Sequence, residues 1–270
     1  MALGARGVYR VSGSAHWRHQ GRGTRFAGHS RALAQRVSYA AVNEGLLLES
    51  VTVRYGDLTV LNSVDLELAR GEALVVQGAS GVGKTTLLQV SAGLLRATGG
   101  RVRLAGQSAD ICRPSDLFRR GVRRGYVFEK GGLLHNLSAL ANVTLALRYH
   151  ADLLGLTPTE IDRRARAALS RLRVDQADLH ALPAHLSFGT QKRVALARVL
   201  VVDPNFVFCD DPDLGLDAST AAMVYDVLAE LRDNPDVTLV ITSNSGPLLD
   251  RLRSRSLELV NGYLLEVRRA

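Results

Sequence analysis

Strand-like and helix-like segments alternate along most of this chain. Predominantly apolar runs predict three buried strands, at 73–76, 206–209 and 237–241. Further predicted strands are 46–53 and 58–68, joined by a turn at Gly56-Asp57, then 101–104, which follows a break at Gly99-Gly100, and finally 124–128. The turn Asn261-Gly262 predicts a hairpin over 257–267. Strands that alternate with helices predict an α/β sheet.

Between residues 130 and 200 the pattern is mainly helical. The segment 137–149 predicts one helix, and Ser187 opens another. A further helix is predicted at 160–172, because Thr157-Pro158-Thr159-Glu160 combines an N-cap threonine, a first-turn proline and a capping-box glutamate. These helices interrupt the alternation of strands, so we expect a helical insertion in the middle of the α/β fold.

Composition defines the class of protein before any motif is considered. At 270 residues the chain can bury a substantial core, and its 46% hydrophobic and 22% charged residues are typical of a globular protein. Its apolar runs are far shorter than the roughly 20 residues that span a bilayer, so any membrane role requires a partner. The two cysteines, Cys112 and Cys209, lack metal-ligand spacing and indicate a reducing compartment, with Cys209 a buried thiol.

Positive charge is concentrated in the first 45 residues. The chain carries a net charge of +8, and residues 1–45 supply +6 of it through seven arginines and one glutamate. This segment predicts a disordered basic tail, although an organelle presequence or a start codon assigned too early would have the same composition. The remainder carries +2 and has no general nucleic-acid character. The arginines of 160–172 predict a solvated face, with a basic docking surface as the alternative.

A phosphate-binding loop is the most specific motif. Gly78 to Thr85 has a glycine, four variable residues and then Gly-Lys-Thr, between the predicted strand 73–76 and a helix. In that context backbone N–H groups face phosphate, Lys84 reaches the β- and γ-phosphates, and Thr85 offers a hydroxyl to Mg²⁺. A glycine-rich turn with a chance lysine would not need these flanks. The predicted ATP-binding residues of this segment are Gly78, Ala79, Ser80, Gly81, Val82, Gly83, Lys84, Thr85 and Thr86.

Two neighbouring aspartates follow the buried strand at 206–209. Asp210 is expected at the carboxyl end of that strand, where an open α/β sheet binds ligands, and its carboxylate suits Mg²⁺ held beside Thr85. Asp211 is suited to act as the base that aligns the attacking water. The alternative for this pair is a loop that opens before Pro212.

In their order and spacing these motifs resemble an ATP-binding cassette, the nucleotide-binding subunit of ABC transporters. The resemblance covers about residues 46 to 268. Before residue 200 the matching positions are the adenine-stacking Tyr55, the phosphate loop, Glu129 for the loop glutamine, and the signature Leu186 to Thr190. After it they are the acid Asp210, Asp211 for the catalytic glutamate, the dimer-contact loop Gly215-Leu216-Asp217, and Ser243 for the switch histidine. The resemblance implies a P-loop NTPase core of ABC type, with an antiparallel β subdomain and an inserted helical subdomain at about 130–200.

The resemblance also implies how the site works. ATP and Mg²⁺ would lie between two head-to-tail cassettes, with Ser187 and Gly189 of one copy against the γ-phosphate bound by the other. The implied metal ligands are Thr85, Glu129 and Asp210, and the implied catalytic residues are Asp211, Glu129 and Ser243.

Several positions next to the γ-phosphate depart from the family pattern. Asp211 is one methylene shorter than glutamate, and a misplacement of about 1 Å can cost on the order of 10²-fold in rate. Ser243 does not reach as far as a histidine, and Glu129 adds negative charge where the family has glutamine. In the signature, Phe188 and Thr190 replace a glycine and a glutamine. The parts that bind ATP are kept, and the parts that split it are altered.

Two hypotheses of function follow. The first is the energy-coupling ATPase of a membrane transporter, cytoplasmic on the inner face of the plasma (inner) membrane, with a permease docked at a groove after Glu129. Residues 136–150 look most like cassettes of MCE-type phospholipid transport systems, which would add an MCE-domain lipid-binding protein, although lipoprotein-release and efflux cassettes share much of the pattern. The second is a regulatory or degenerate partner subunit that hydrolyses ATP slowly or not at all. A cassette acting on ribosomes or DNA is disfavoured, because the chain has neither twin cassettes nor long insertions.

Overall fold

The computed structural model describes residues 45–109 and 114–267. The tail interpretation of residues 1–44 and the prediction for Cys112 lie outside these residues. The strands are β1 (Leu46–Tyr55), β2 (Leu58–Leu68), β3 (Ala73–Gln77), β4 (Gly99–Leu104), β5 (Gln107–Ser108), β6 (Arg124–Val127), β7 (Phe206–Asp210), β8 (Thr238–Thr242), β9 (Arg255–Val260) and β10 (Tyr263–Glu266). The helices are α1 (Lys84–Ser91), α2 (Pro114–Arg119), α3 (Ala139–Tyr149), α4 (Ala151–Leu154), α5 (Pro158–Arg171), α6 (Phe188–Leu200), α7 (Ala218–Asp233) and α8 (Gly246–Leu252).

The strands form two sheets of different type. The smaller sheet has the order β2-β1-β4-β5 and is antiparallel. The larger sheet has the order β10-β9-β3-β8-β7-β6, and its pairs are parallel except for the β9–β10 hairpin. The parallel pairing places the carboxyl ends of β3, β7 and β8 at one edge, which is where the phosphate loop and the two aspartates begin.

Each face of the parallel sheet packs against a different core. Leu74 and Val76 of β3 pack with α1 and the antiparallel sheet. Val75, on the opposite face, packs with the helices α3, α5, α6 and α7. Cys209 of β7 faces this second core, and burial raises the pKa of its thiol to about 12, so it is the buried thiol that the sequence predicts. Alternating burial along one strand thus joins the two layers of the molecule.

The helices α3 to α6 lie in the chain between β6 and β7, and their starts follow the predicted capping signals. Thr157 is the N-cap of α5 and accepts a hydrogen bond from Glu160 N at 3.3 Å. The Glu160 carboxylate does not complete the capping box; it pairs with Arg163 and Arg164 instead. The arginine-rich face of α5 is therefore partly neutralised by acids on the same helix.

The break predicted at Gly99-Gly100 is wrong, because both residues lie inside β4. Gly99 pairs with Thr52, and the register of β1 and β4 shifts between Glu49 and Thr52. Gly100 has a φ angle of 83°, and a Cβ there would lie 2.5 Å from Glu49 O. The two glycines form an irregularity within a continuous strand, which a pattern of residue types does not distinguish from a turn.

Within the described residues, no helix is both long and apolar enough to cross a membrane.

Candidate nucleotide-binding site

The phosphate loop connects β3 to α1 with a backbone that only glycine tolerates at its turning points. The φ angles are 145° at Gly78, 75° at Gly81 and 109° at Gly83, which is the N-cap of α1. A Cβ at Gly83 would lie 2.6 Å from Val60 Cγ1, and one at Gly78 would lie 2.7 Å from Leu259 O. No side chain caps the start of α1, so its first N–H groups suit an anionic ligand.

The first peptide of this loop is held by two side chains. Lys84 is 8% exposed, and its Nζ donates to Gly78 O at 2.8 Å and to Ala79 O at 3.1 Å. Asn244 Nδ2 also donates to Gly78 O at 2.8 Å, while Gly78 N donates to Asn244 Oδ1 at 3.0 Å. This reciprocal pair ties the phosphate loop to the segment after β8. The Asn244 amide is thus engaged with the loop backbone.

Asp210 ends β7 and is almost fully buried, with 3% exposure. Its Oδ1 accepts a hydrogen bond from Thr242 Oγ1 at 2.7 Å, and its Oδ2 accepts one from the Tyr126 hydroxyl at 3.4 Å. Burial and the neighbouring Asp210 charge raise the pKa of Tyr126 above its usual range, so the phenol stays protonated and donates. Two side-chain donors therefore fix this carboxylate.

The backbone of Asp211 is strained and held from both sides. Its φ angle is 37°, a conformation that costs a non-glycine residue about 1–3 kcal/mol. Its N–H donates to Thr242 O and to Thr242 Oγ1, each at 3.1 Å. Its carbonyl accepts from Leu214 N at 3.2 Å and from Lys192 Nζ at 3.3 Å. Neighbouring elements, rather than local preference, determine where this aspartate points.

The Asp211 carboxyl lies in a cluster of charges. Burial raises its pKa; the Lys84 charge lowers it, and the acids Asp210, Glu129 and Asp213 raise it further. The structure thus brings the phosphate-loop lysine and the predicted acids into electrostatic range of one another. A carboxylate with a raised pKa is a stronger base than an exposed one, which suits the role that the sequence predicts for Asp211.

Ser243 is 1% exposed, and its hydroxyl is bonded to neighbours. Its Oγ donates to Asp213 Oδ1 at 3.3 Å and accepts from Ser245 N at 3.1 Å. The other carboxylate oxygen, Asp213 Oδ2, accepts from the Tyr225 hydroxyl at 2.6 Å. Ser243 is therefore part of a network that includes an acid two residues after Asp211.

Three predicted ATP contacts lie apart from this cluster in the single chain. Ser187 is the N-cap of α6, and its Oγ accepts from Thr190 N at 3.1 Å. A Cβ at Gly189 would lie 3.3 Å from the Thr220 side chain, at the start of α7. Tyr55 is 51% exposed at the end of β1. Across residues 45–109 and 114–267, no hydrogen bond links these three residues to the phosphate loop.

The predicted metal donors suit a Mg²⁺ ion that is also bound by phosphate oxygens and water, but they do not form a complete protein site by themselves. Thr85 is exposed in the first turn of α1, Asp210 is fixed at the end of β7, and Glu129 follows β6. Among the residues that the structure describes, no group of three His, Cys, Asp or Glu side chains is arranged to hold a metal. Mg²⁺ typically keeps waters and binds through one or two carboxylates together with phosphate oxygens, and these donors suit that mode.

Comparison with known proteins establishes the family. A family model described as ABC transporter matches residues 61–213, more than half of the chain. This chain belongs to the ATP-binding cassette family of ABC transporters. The cassettes of this family are generally ATPases, so the coarse function is that of an ATP-binding subunit.

Relatives of this cassette span most of its length. It is 34% identical over 229 residues to the lipoprotein-releasing system ATP-binding protein LolD of Shewanella sp. (strain MR-7), covering 82% of this chain and 96% of the relative. It is 37% identical over 221 residues to the uncharacterized ABC transporter ATP-binding protein YbbA of Escherichia coli (strain K12), covering 82% of this chain and 94% of the relative.

Solved structures of a cassette share its fold. A dimeric structure of the bacterial ABC transporter cassette MJ0796 matches with a TM-score of 0.74 and 27% identity, over 83% of this chain and 100% of the other. A dimeric post-hydrolysis state of MJ0796 bound to ADP and Pi matches with a TM-score of 0.73 and 26% identity over the same shares. The predicted fold class, an α/β cassette core with an antiparallel β subdomain and inserted helices, is confirmed.

The sequence interpretation missed several residues that the site uses. Tyr126 is expected only as a strand residue and Thr242 lies one residue beyond the predicted strand 237–241, yet both bond to Asp210. The sequence contained a signal for Asp213, because it is the third acid after Asp210 and Asp211 at the end of β7. The sequence also contained a signal for Lys192. It precedes Ala195 by three residues and Leu196 by four, so on a helix it shares the buried face that these two residues form.

Proposed function

We propose that this cassette binds ATP with Mg²⁺ at the interface of a head-to-tail dimer and hydrolyses it to drive a membrane permease. The observation that carries the proposal is the convergence of Lys84, Asp210 and Asp211 at the carboxyl edge of the parallel sheet. Lysine and backbone N–H groups suit the phosphates, and Asp211 suits the alignment of a water. The dimer is supported by the two solved structures of the cassette MJ0796, both of which are dimeric.

In this proposal the metal and the partner copy complete the site. Thr85, Asp210 and Glu129 hold Mg²⁺ together with phosphate oxygens. Ser187 and Gly189 of the partner copy contact the γ-phosphate, in keeping with the absence of a hydrogen bond between these two residues and the phosphate loop of their own chain among the described residues. The helix N-terminus at Ser187 favours an anion there.

We further propose that hydrolysis is slow. Asp211 is one methylene shorter than the glutamate of the family, and the Ser243 hydroxyl donates to Asp213. A site that loses its general base typically loses 10²–10⁴ in rate, and a misplaced base loses part of that. The Ser243–Asp213 contact also favours a second candidate function, a nucleotide-gated partner or regulatory subunit with negligible hydrolysis.

Phosphate release by the full chain, alone and with its permease in vesicles, tests the proposal against the alternative. We expect Asp211→Asn to lower the rate by about 10²-fold or more, because an amide cannot accept a proton from water. Asp226→Asn is a matched control, since Asp226 is exposed and pairs with Arg251 on α8. A negligible rate that Asp211→Asn does not change would contradict hydrolysis and support the second candidate.

The transported substrate is proposed to be a lipid or a lipid-linked protein. The support is the similarity to a lipoprotein-releasing subunit and the likeness of residues 136–150 to MCE-type cassettes. In this proposal the cassette lies peripherally on the cytoplasmic face of the inner membrane, with no nucleic-acid partner. Affinity purification of the tagged cassette from its own membranes should recover a permease. Recovery of an MCE-domain protein as well would support phospholipid transport, and a permease alone would favour lipoprotein release or efflux.

A further inference from the structure

Lys192 is a buried cation to which the proposed function assigns no role. It lies in the second turn of α6, and the residue is 1% exposed. Its Nζ donates to the carbonyl oxygen of Asp211 at 3.3 Å and lies 5.7 Å from the centre of the Phe188 ring. The ammonium group thus meets one main-chain acceptor and one ring of a residue that is 39% exposed.

Burial of this cation is unfavourable for the fold itself. Desolvation lowers the pKa of Lys192, and the negative charges of Glu129, Asp213 and Asp210 act in the opposite direction. An ammonium with a single long hydrogen bond recovers only part of the hydration that it loses on burial. A well-packed apolar side chain at position 192 would therefore be as stable or more stable, so stability does not explain a lysine here.

The contact made by Lys192 lies at the most constrained peptide of the site. Asp211 has a φ angle of 37°, and Thr242 holds its N–H. On the carbonyl side, Leu214 N and Lys192 Nζ are the donors. Removal of Lys192 would leave that carbonyl with the Leu214 contact alone, in a segment that carries the proposed base.

The charge of Lys192 complements this contact. Glu129, Asp210, Asp211 and Asp213 place four acids within electrostatic range of one another, and the nearby phosphate-loop lysine is expected to turn to the phosphates of ATP. Lys192 donates to the main chain of Asp211 and lies within electrostatic range of Glu129, Asp213 and Asp210.

We propose that Lys192 is a positioning residue for ATP hydrolysis: its buried ammonium donates to the Asp211 carbonyl and holds that peptide in its strained conformation. It acts through Asp211 and touches neither nucleotide nor metal. This inference rests on the proposed function, in which Asp211 aligns the attacking water.

The test uses Lys192→Met, which keeps length and removes the charge and the donor, in the full-length chain. We expect kcat for ATP hydrolysis to fall by about tenfold or more, because the base is misplaced. The KM for ATP and the Kd of a non-hydrolysable ATP analogue should stay within about twofold, because the phosphate loop is unaltered. The melting temperature of the nucleotide-free protein should be unchanged or higher.

Three further variants separate the possible outcomes. Arg166→Met removes the same charge from a partly exposed position on α5, distant in the chain from the site residues, and should leave kcat and nucleotide affinity unchanged. Lys192→Gln, a polar neutral variant, should repeat the kcat effect if methionine prevents folding. In the double variant Lys192→Met with Asp211→Asn, hydrolysis should equal that of Asp211→Asn alone, since the lysine acts through the aspartate.

The results that overturn the inference are distinct from those that overturn the function. A kcat within about twofold of wild type in Lys192→Met refutes the positioning role. The role is also refuted if the double variant hydrolyses ATP more slowly than Asp211→Asn alone. A parallel loss of kcat, nucleotide affinity and melting temperature in both lysine variants means that Lys192 is structural only. If wild-type hydrolysis is absent or insensitive to Asp211→Asn, the proposed function fails, and this inference fails with it.

Discussion

Ser243 and Asp213 share a hydrogen bond that limits what a substitution at position 243 can achieve. The side chain of Ser243 is enclosed between β8 and the loop that follows β7, and Asp213 is bonded to Tyr225 as well. An imidazole is much larger than a hydroxymethyl group, and overpacking a buried position typically costs about 1–3 kcal/mol. A histidine here would also meet the Asp213 carboxylate before it met a phosphate.

We therefore expect Ser243→His alone to lower the free energy of unfolding by about 1–3 kcal/mol without raising ATP hydrolysis. Combined with Asp213→Ala, which removes the competing carboxylate, it should raise the rate by roughly tenfold or more, since the imidazole can then bond the γ-phosphate. Denaturant unfolding and phosphate release measure the two effects, with Asp213→Ala alone as the control. A gain in rate from Ser243→His by itself would show that Asp213 does not capture the ring.

At the scale of elements, β6 and α6 approach each other more closely than a side chain allows. A Cβ at Gly125 would lie 2.2 Å from Val199 Cγ1, and Gly125 has no positive φ angle to explain its identity. The contact joins the strand that precedes Glu129 to the helix that begins at the signature. Gly125 is thus a packing position between two elements that carry site residues.

Gly125→Ala should destabilise the protein by about 1–3 kcal/mol, because the new methyl group overlaps Val199. Val199→Ala should also destabilise it, since it leaves a cavity at a position that is 4% exposed. In the double variant, the decrease in the free energy of unfolding should be smaller than the sum of the two single decreases by about 1 kcal/mol or more, because each change compensates the other. Urea unfolding measures all three, and strictly additive losses would mean that the two elements separate instead of repacking.

The same scale explains how much of this protein the sequence predicts. The strands β1, β2, β6 and β10 and the helices α3, α5 and α6 were predicted within a few residues, because periodicity and capping residues are local signals. The phosphate loop was predictable for the same reason. The bonds from Thr242 to Asp210 and from Asn244 to Gly78 were not, since they join segments 32 and 166 residues apart. Spacing in one chain cannot show which side chains of parallel strands meet at the sheet edge.

At the scale of the whole molecule, one chain supplies two incomplete halves of the proposed site. The phosphate loop, Asp210 and Asp211 lie at the sheet edge, whereas Ser187 and Gly189 lie at the start of α6 and bond locally. If two copies pair head to tail, each site takes its loop from one chain and its signature from the other. Damage to the two halves in separate chains should then be complementary.

We predict that Lys84→Ala and Ser187→Glu cassettes are each inactive in hydrolysis and regain activity when mixed. Lys84→Ala removes the phosphate-loop charge, and Ser187→Glu places a carboxylate against the γ-phosphate of the other copy. In a mixed dimer one site has both defects and the other has none.

An equal mixture should therefore recover on the order of a quarter of the wild-type rate if the chains pair at random and the sites act independently. Phosphate release measures the recovery, and native mass spectrometry confirms the mixed dimer. Mixing Lys84→Ala with a Lys84→Ala/Ser187→Glu double variant is the control, because no intact site can form. If a mixture that contains the mixed dimer stays as inactive as this control, the two halves are not shared between chains.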